Sequence, residues 1–167
     1  MELNIYTNNE KYKMHCIEYI IIWQNEGERI ENAFYEIMGL KFNEEKINLL
    51  ISEGKNGNYS GDSLTEEMIF RYNNRCKIGT FLHELSHRII LEYDLLDKAK
   101  ERIGIKNIHE LIDLFLFDIL IKLYGYDAAM HRVEYERDFG DEYNDAWNYA
   151  LSLSYEKRQE ILRKVTL

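Results

Sequence analysis

No proline interrupts the 167 residues, so the helices of this chain are free of their strongest breaker. From residue 75 onward, apolar side chains recur at helical spacing almost continuously, which predicts helices over about 75–96, 108–124, 127–138, 142–152 and 155–165. Upstream, Tyr12, Ile17, Ile20, Ile21, Ile30, Phe34 and Ile37 suit one or two amphipathic helices over residues 10–38, parted near Gly27. Strand signals are short: residues 46–51, then 68–72 (Met68, Ile69, Phe70, Arg71 and Tyr72), with a Gly-rich loop over 54–63 between them. Leu3 to Tyr6 could add an edge strand. The expected architecture is α+β and mostly helical, a small antiparallel sheet packed on a helical body. The whole chain, 1–167, fits one domain.

Charge and cysteine usage narrow the function. Thirty acidic against twenty-one basic residues give a net charge of −9, which argues against nucleic acid and anionic membranes as partners, because both draw affinity from Lys and Arg on phosphates. The apolar run Tyr19-Ile20-Ile21-Ile22-Trp23 is too short to span a bilayer and lacks the basic flank and cleavage site of a signal peptide, so a cytoplasmic protein is expected. Cys16 and Cys76 are too few and too far apart for a disulfide framework or a thiolate zinc site.

The chemistry is concentrated in His83-Glu84-Leu85-Ser86-His87. Residues four apart share a helix face, so His83 and His87 can each give one imidazole nitrogen to a single ion. Zinc suits two imidazoles, and a catalytic zinc site keeps a position open for water. Glu84 lies about 100° around the helix from His83 and can act as general base toward water without ligating. The chance match is weighed against the surroundings: Phe81, Leu82, Leu85, Ile89 and Ile90 make the segment apolar, where such a trio is costly unless paired or coordinated.

The third ligand has two candidates, His109 and Glu110, which point about 100° apart on one helix. Asn107 followed by Glu110 reads as a capping box that commits Glu110 to the backbone. His109 is then the metal ligand, with Asp113 one turn on to accept from its other nitrogen. A His-His-Glu set using Glu110 is the alternative, and a surface residue at a helix start is the reading that competes with a ligand role for His109. Asp118 falls on the opposite face and reads as solvated, as does the charged run from Glu134 to Glu142. Tyr93, Tyr124, Tyr126 and His131 are available to stabilise an oxyanion, though packing or surface roles are the default for each.

Taken together, the His-Glu-x-x-His helix, the strand at 68–72 before it and the His109/Asp113 helix about twenty residues after it resemble a minimal zincin metallopeptidase over residues 66–124. The layout is similar to the short gluzincin-like proteins of bacteria and phages. His109 stands where that group carries a Glu ligand, and Asp113 matches its Asp. Ile90 and Tyr93 occupy the positions at which a metzincin would need Gly and His. The resemblance implies a Zn2+-dependent hydrolase acting on a peptide or protein substrate, with Met68 to Tyr72 as the edge strand that pairs with it. A zincin-like protein that binds metal without hydrolysis is the alternative, and Glu84 favours the enzyme.

Overall fold

The computed structural model describes residues 1–52, 62–63, 67–71 and 77–167. Two compact units emerge: Met1–Glu31 with Phe42–Glu92, and Asn32–Lys41 with Tyr93–Leu167.

In the first unit, strand β1 (Glu2–Tyr6) leads through a single 3₁₀ turn into helix α1 (Lys13–Met38), and β2 (Lys46–Ser52) follows. Residues 13–31 of α1 belong to this unit and the remainder to the second. β1 and β2 pair in parallel, with Ile5 opposite Leu49. Parallel neighbours need a crossover of a dozen residues or more, and α1 supplies it. β3 (Asp62–Ser63) and β4 (Glu67–Arg71) complete a sheet of order β1-β2-β4-β3. β2 and β4 are also parallel, and only β3 and β4 run antiparallel. The expected antiparallel sheet is therefore mixed and mainly parallel, and α1 is the crossover that lets β1 and β2 run side by side in one direction. Along β2, Ile47, Leu49 and Ile51 are buried in strict alternation. On the other face, Asn4 Nδ2 donates to Asn48 Oδ1 at 2.9 Å.

Gly27 does not part α1. A Cβ there would stand 3.0 Å from the Trp23 ring, so the glycine admits the indole beside the helix. Trp23 and Tyr19 in turn meet Phe81 of helix α2 (Lys77–Glu92), at 5.9 and 5.8 Å between ring centroids.

The helix expected over 75–96 ends at Glu92, and a separate α3 (Leu95–Ile103) follows. Between them Asp94 takes a left-handed conformation (φ 51°, ψ 39°), which aspartate tolerates better than most residues.

In the second unit, α3 is followed by α4 (Ile108–Tyr124), α5 (Tyr126–Arg137), α6 (Asp141–Leu151) and α7 (Tyr155–Thr166). Residues Glu110 through Leu120 of α4 are buried without a break, the mark of a central helix. α5, α6, α7 and α3 pack around it. Phe115 meets Phe34 at 6.2 Å, and Phe117 meets Trp147 at 6.2 Å. Among the described residues, no helix is long and apolar enough to cross a membrane.

Two charged features expected at the surface are inside this unit. Asp118 is buried, with its oxygens accepting from Arg158 Nε at 3.0 Å and from an Arg158 terminal nitrogen at 2.5 Å. Glu136 is fully buried, accepting from Trp147 Nε1 at 2.8 Å and from Arg132. Each carboxylate is tolerated because a buried arginine neutralises it: Arg132 one turn before Glu136 on the same helix, and Arg158 forty residues from Asp118, a distance that sequence spacing does not bridge. Asp118→Ala would leave the Arg158 guanidinium buried without its carboxylate. Urea unfolding should show a loss of about 3–5 kcal/mol of stability.

Candidate functional site

Helix α2 carries the His-Glu-x-x-His segment because Phe81, Leu82, Leu85, Ile89 and Ile90 give it an apolar stripe, and all five are buried. Polar residues on the same helix have dedicated partners. Ser86 Oγ donates to Leu82 O at 2.8 Å, Lys77 pairs with Glu18 at the helix start, and buried Arg88 pairs with Glu44. At its end Glu92 Oε2 accepts from the Asn43 amide at 2.9 Å. Burial is the chief cause raising the Glu92 carboxyl above its ordinary pKa, against the lowering effect of that amide and of Arg88. The helix is thus tied at both ends to neighbouring chain of its own unit.

His83 is buried and His87 half-buried, and their Nε2 atoms are 3.1 Å apart. The rings are inclined at 64° with centroids 4.9 Å apart. Two nitrogens each about 2.0–2.1 Å from a tetrahedral ion lie about 3.3 Å apart, so the pair is close to the spacing that one zinc ion requires. Glu84, on the same turn, is buried at 1% exposure. The donor set and its spacing fit a borderline-soft divalent cation with a carboxylate beside it.

In the second unit His109 lies in the first turn of α4. The cap forms as expected on one side: Asn107 Oδ1 accepts from the Glu110 amide at 2.9 Å. The reciprocal bond falls one residue earlier, with Glu110 Oε2 accepting from the Lys106 amide at 2.7 Å. Glu110 is committed to the backbone. His109 Nδ1 is 2.9 Å from Glu142 Oε1, and its ring lies 4.2 Å from that of Tyr143. A carboxylate only accepts, so Nδ1 carries a proton, and in the neutral ring that leaves the lone pair on Nε2.

The carboxylate on His109 is therefore Glu142 and not Asp113. Asp113 is wholly buried, and neither of its oxygens has a hydrogen-bond partner among the described residues. Burial is the main force pushing its carboxyl well above the ordinary value of 3.8, Glu136 adds to the rise, and Arg132 opposes it. Glu142 escaped notice because it is 33 residues from His109 and sits in a charged run that reads as solvated.

β4 is not an edge, since β2 pairs along its length and β3 covers Met68 and Ile69 on the other side. Tyr72, Cys76 and residues 54–61 of the Gly-rich loop lie outside the described residues. Of the candidate oxyanion donors, Tyr93 Oη donates to Lys41 O at 2.7 Å, Tyr126 and His131 are exposed, and the Tyr124 hydroxyl is buried. No family model, curated protein or solved structure matches the chain.

The raised carboxyl of Asp113 has a signed consequence for stability. Below pH 3.8 folded and unfolded chains both hold the proton. As pH rises, the unfolded chain ionises freely while the folded one resists, so stability is lost up to the folded value. Asp113→Asn removes that loss. Its melting temperature should exceed the wild type's at pH 7, with the advantage vanishing below about pH 4.

Proposed function

We propose that this protein is a zinc-dependent peptidase in which His83 and His87 of α2 ligate the ion, His109 of α4 is the third ligand, and Glu84 is the general base. The observation that carries the reading is the α2 pair, two imidazoles with Nε2 atoms 3.1 Å apart on one face and a buried glutamate in the same turn. Zinc, when bound, supplies Lewis-acid polarisation of a carbonyl and makes water more acidic. Glu84 takes the proton from the attacking water and returns it to the departing amine, the work of a carboxylate held in a largely apolar setting. A purely structural zinc is normally closed by four protein ligands and needs no such base. That favours an enzyme over a metal-binding module without activity.

His109 enters the proposal on two grounds within its own unit. Glu110, the rival ligand, accepts from the Lys106 amide, and Glu142 fixes the His109 tautomer that presents Nε2. A peptide or protein is the substrate, in keeping with the resemblance to zincins, and the net charge of −9 disfavours nucleic acid. Cys16 is a buried free thiol, which suits the reducing cytoplasm to which we assign the protein.

Glu84→Gln keeps size and hydrogen bonding while removing the base. Turnover of a peptide library, followed by mass spectrometry, should fall at least about a hundredfold, with zinc content and melting temperature unchanged. Equal turnover by this variant would refute the mechanism. In a chelator-competition titration, His109→Ala should lose most zinc affinity, while Glu110→Gln should retain it and cost under about 1 kcal/mol of stability. The reverse pattern would make the site a His-His-Glu one.

A further inference from the structure

Within the second unit His109 is held from two directions by one short stretch of chain. Glu142 and Tyr143 are consecutive in the first turn of α6, and one grips the imidazole edge while the other lies against its face. Behind Tyr143 the rings continue: Phe139 stands 5.5 Å from Tyr143, and Tyr135 stands 5.0 Å from Phe139. The Arg132 guanidinium lies 5.3 Å from the centre of the Tyr135 ring, and Arg132 is buried against Glu136. Glu136 is held in turn by Trp147 of α6. The face of His109 is thus backed by a series of rings that ends in the buried charge pair of α5.

We propose that Glu142 and Tyr143 are positioning residues for His109: Glu142 keeps the imidazole in the Nδ1-protonated tautomer, and Tyr143 fixes the ring plane, so that Nε2 is presented with its lone pair ready to bind a metal. This rests on the reading of His109 as a zinc ligand. An isolated imidazole carries its proton on either nitrogen, and only one tautomer has a lone pair on Nε2. A carboxylate that accepts at Nδ1 selects that tautomer and increases the basicity of the ligating nitrogen. The Glu142 side chain is 55% exposed while that of His109 is 13% exposed, so the carboxylate reaches in from solvent to a largely covered ring. The arrangement differs from a partner one turn along the ligand's own helix, because it makes the orientation of His109 depend on the docking of α6 against α4.

Two measurements on the full-length protein separate this role from simple packing. Long-range proton–nitrogen NMR of the metal-free protein reads the His109 tautomer directly, and titration with Zn2+ against a chromogenic chelator reads affinity. The wild type should show the Nδ1-protonated form. Glu142→Ala should lose that preference and bind Zn2+ about tenfold more weakly. Glu142→Gln keeps an acceptor oxygen and should recover part of both, while Tyr143→Phe, which keeps the ring, should match the wild type. A wild-type tautomer and zinc affinity in Glu142→Ala would overturn the proposal. Should the wild type hold the expected tautomer but take up no Zn2+, the tautomer assignment would stand and the zinc reading of His109 would fail.

Discussion

Polar groups removed from water must find a partner, and helix α2 concentrates that demand in one turn. His83 and Glu84 are buried on a helix whose other interior residues are Phe81, Leu82, Leu85, Ile89 and Ile90. Leaving such groups unsatisfied costs several kcal/mol, more than an apolar helix of this length can concede lightly. The sequence meets this cost by spacing. Two imidazoles four residues apart can share a proton or an ion, and their 3.1 Å separation serves either. The remainder of the first unit holds that helix in place: Lys77 on Glu18 at its start, Arg88 on Glu44 and Glu92 on Asn43 near its end, and Phe81 among Tyr19 and Trp23.

The second unit solves the same problem by pairing charges. Its central helix α4 is buried almost all round, yet it carries Asp113 and Asp118. Asp118 is neutralised by Arg158, which also donates to the Ala150 and Leu153 carbonyls at 3.3 and 2.6 Å. Asp113 has no such hydrogen bond among the described residues, and burial pushes its carboxyl well above the ordinary value. Two aspartates five residues apart on one buried helix thus have different surroundings, one an arginine fork and the other no hydrogen-bond partner among the described residues.

Helix existence was legible in the sequence because it depends on local spacing. The helices from α4 to α7 lie within about two residues of their expected bounds, helped by Asn107 and Ser154 as genuine caps. The break between α2 and α3 was not legible, since Tyr93-Asp94 continues the helical pattern and only the left-handed Asp94 interrupts it. Sheet direction was missed because parallel and antiparallel strands share one alternation, and the distinction lies in what connects them. The His83, Glu84 and His87 constellation was legible for the same local reason as the helices. The partners of His109 and Asp118 and the Trp147 bond to Glu136 were not, because Glu142, Arg158 and Trp147 come from other helices, and a buried ion pair has the composition of a surface. Asp113 matched a family pattern by spacing while Glu142 took the bond.

The central claim is that the two α2 imidazoles share a zinc ion. X-ray absorption at the zinc edge, on protein purified without chelator and reconstituted with one equivalent of zinc, tests it most directly. The account predicts nitrogen and oxygen neighbours only, at about 2.0–2.1 Å, with the outer-shell scattering of several imidazoles that falls to at most that of His109 in a His83→Ala, His87→Ala double variant. A sulfur neighbour at about 2.3 Å, or an imidazole signature undiminished in the double variant, would contradict it.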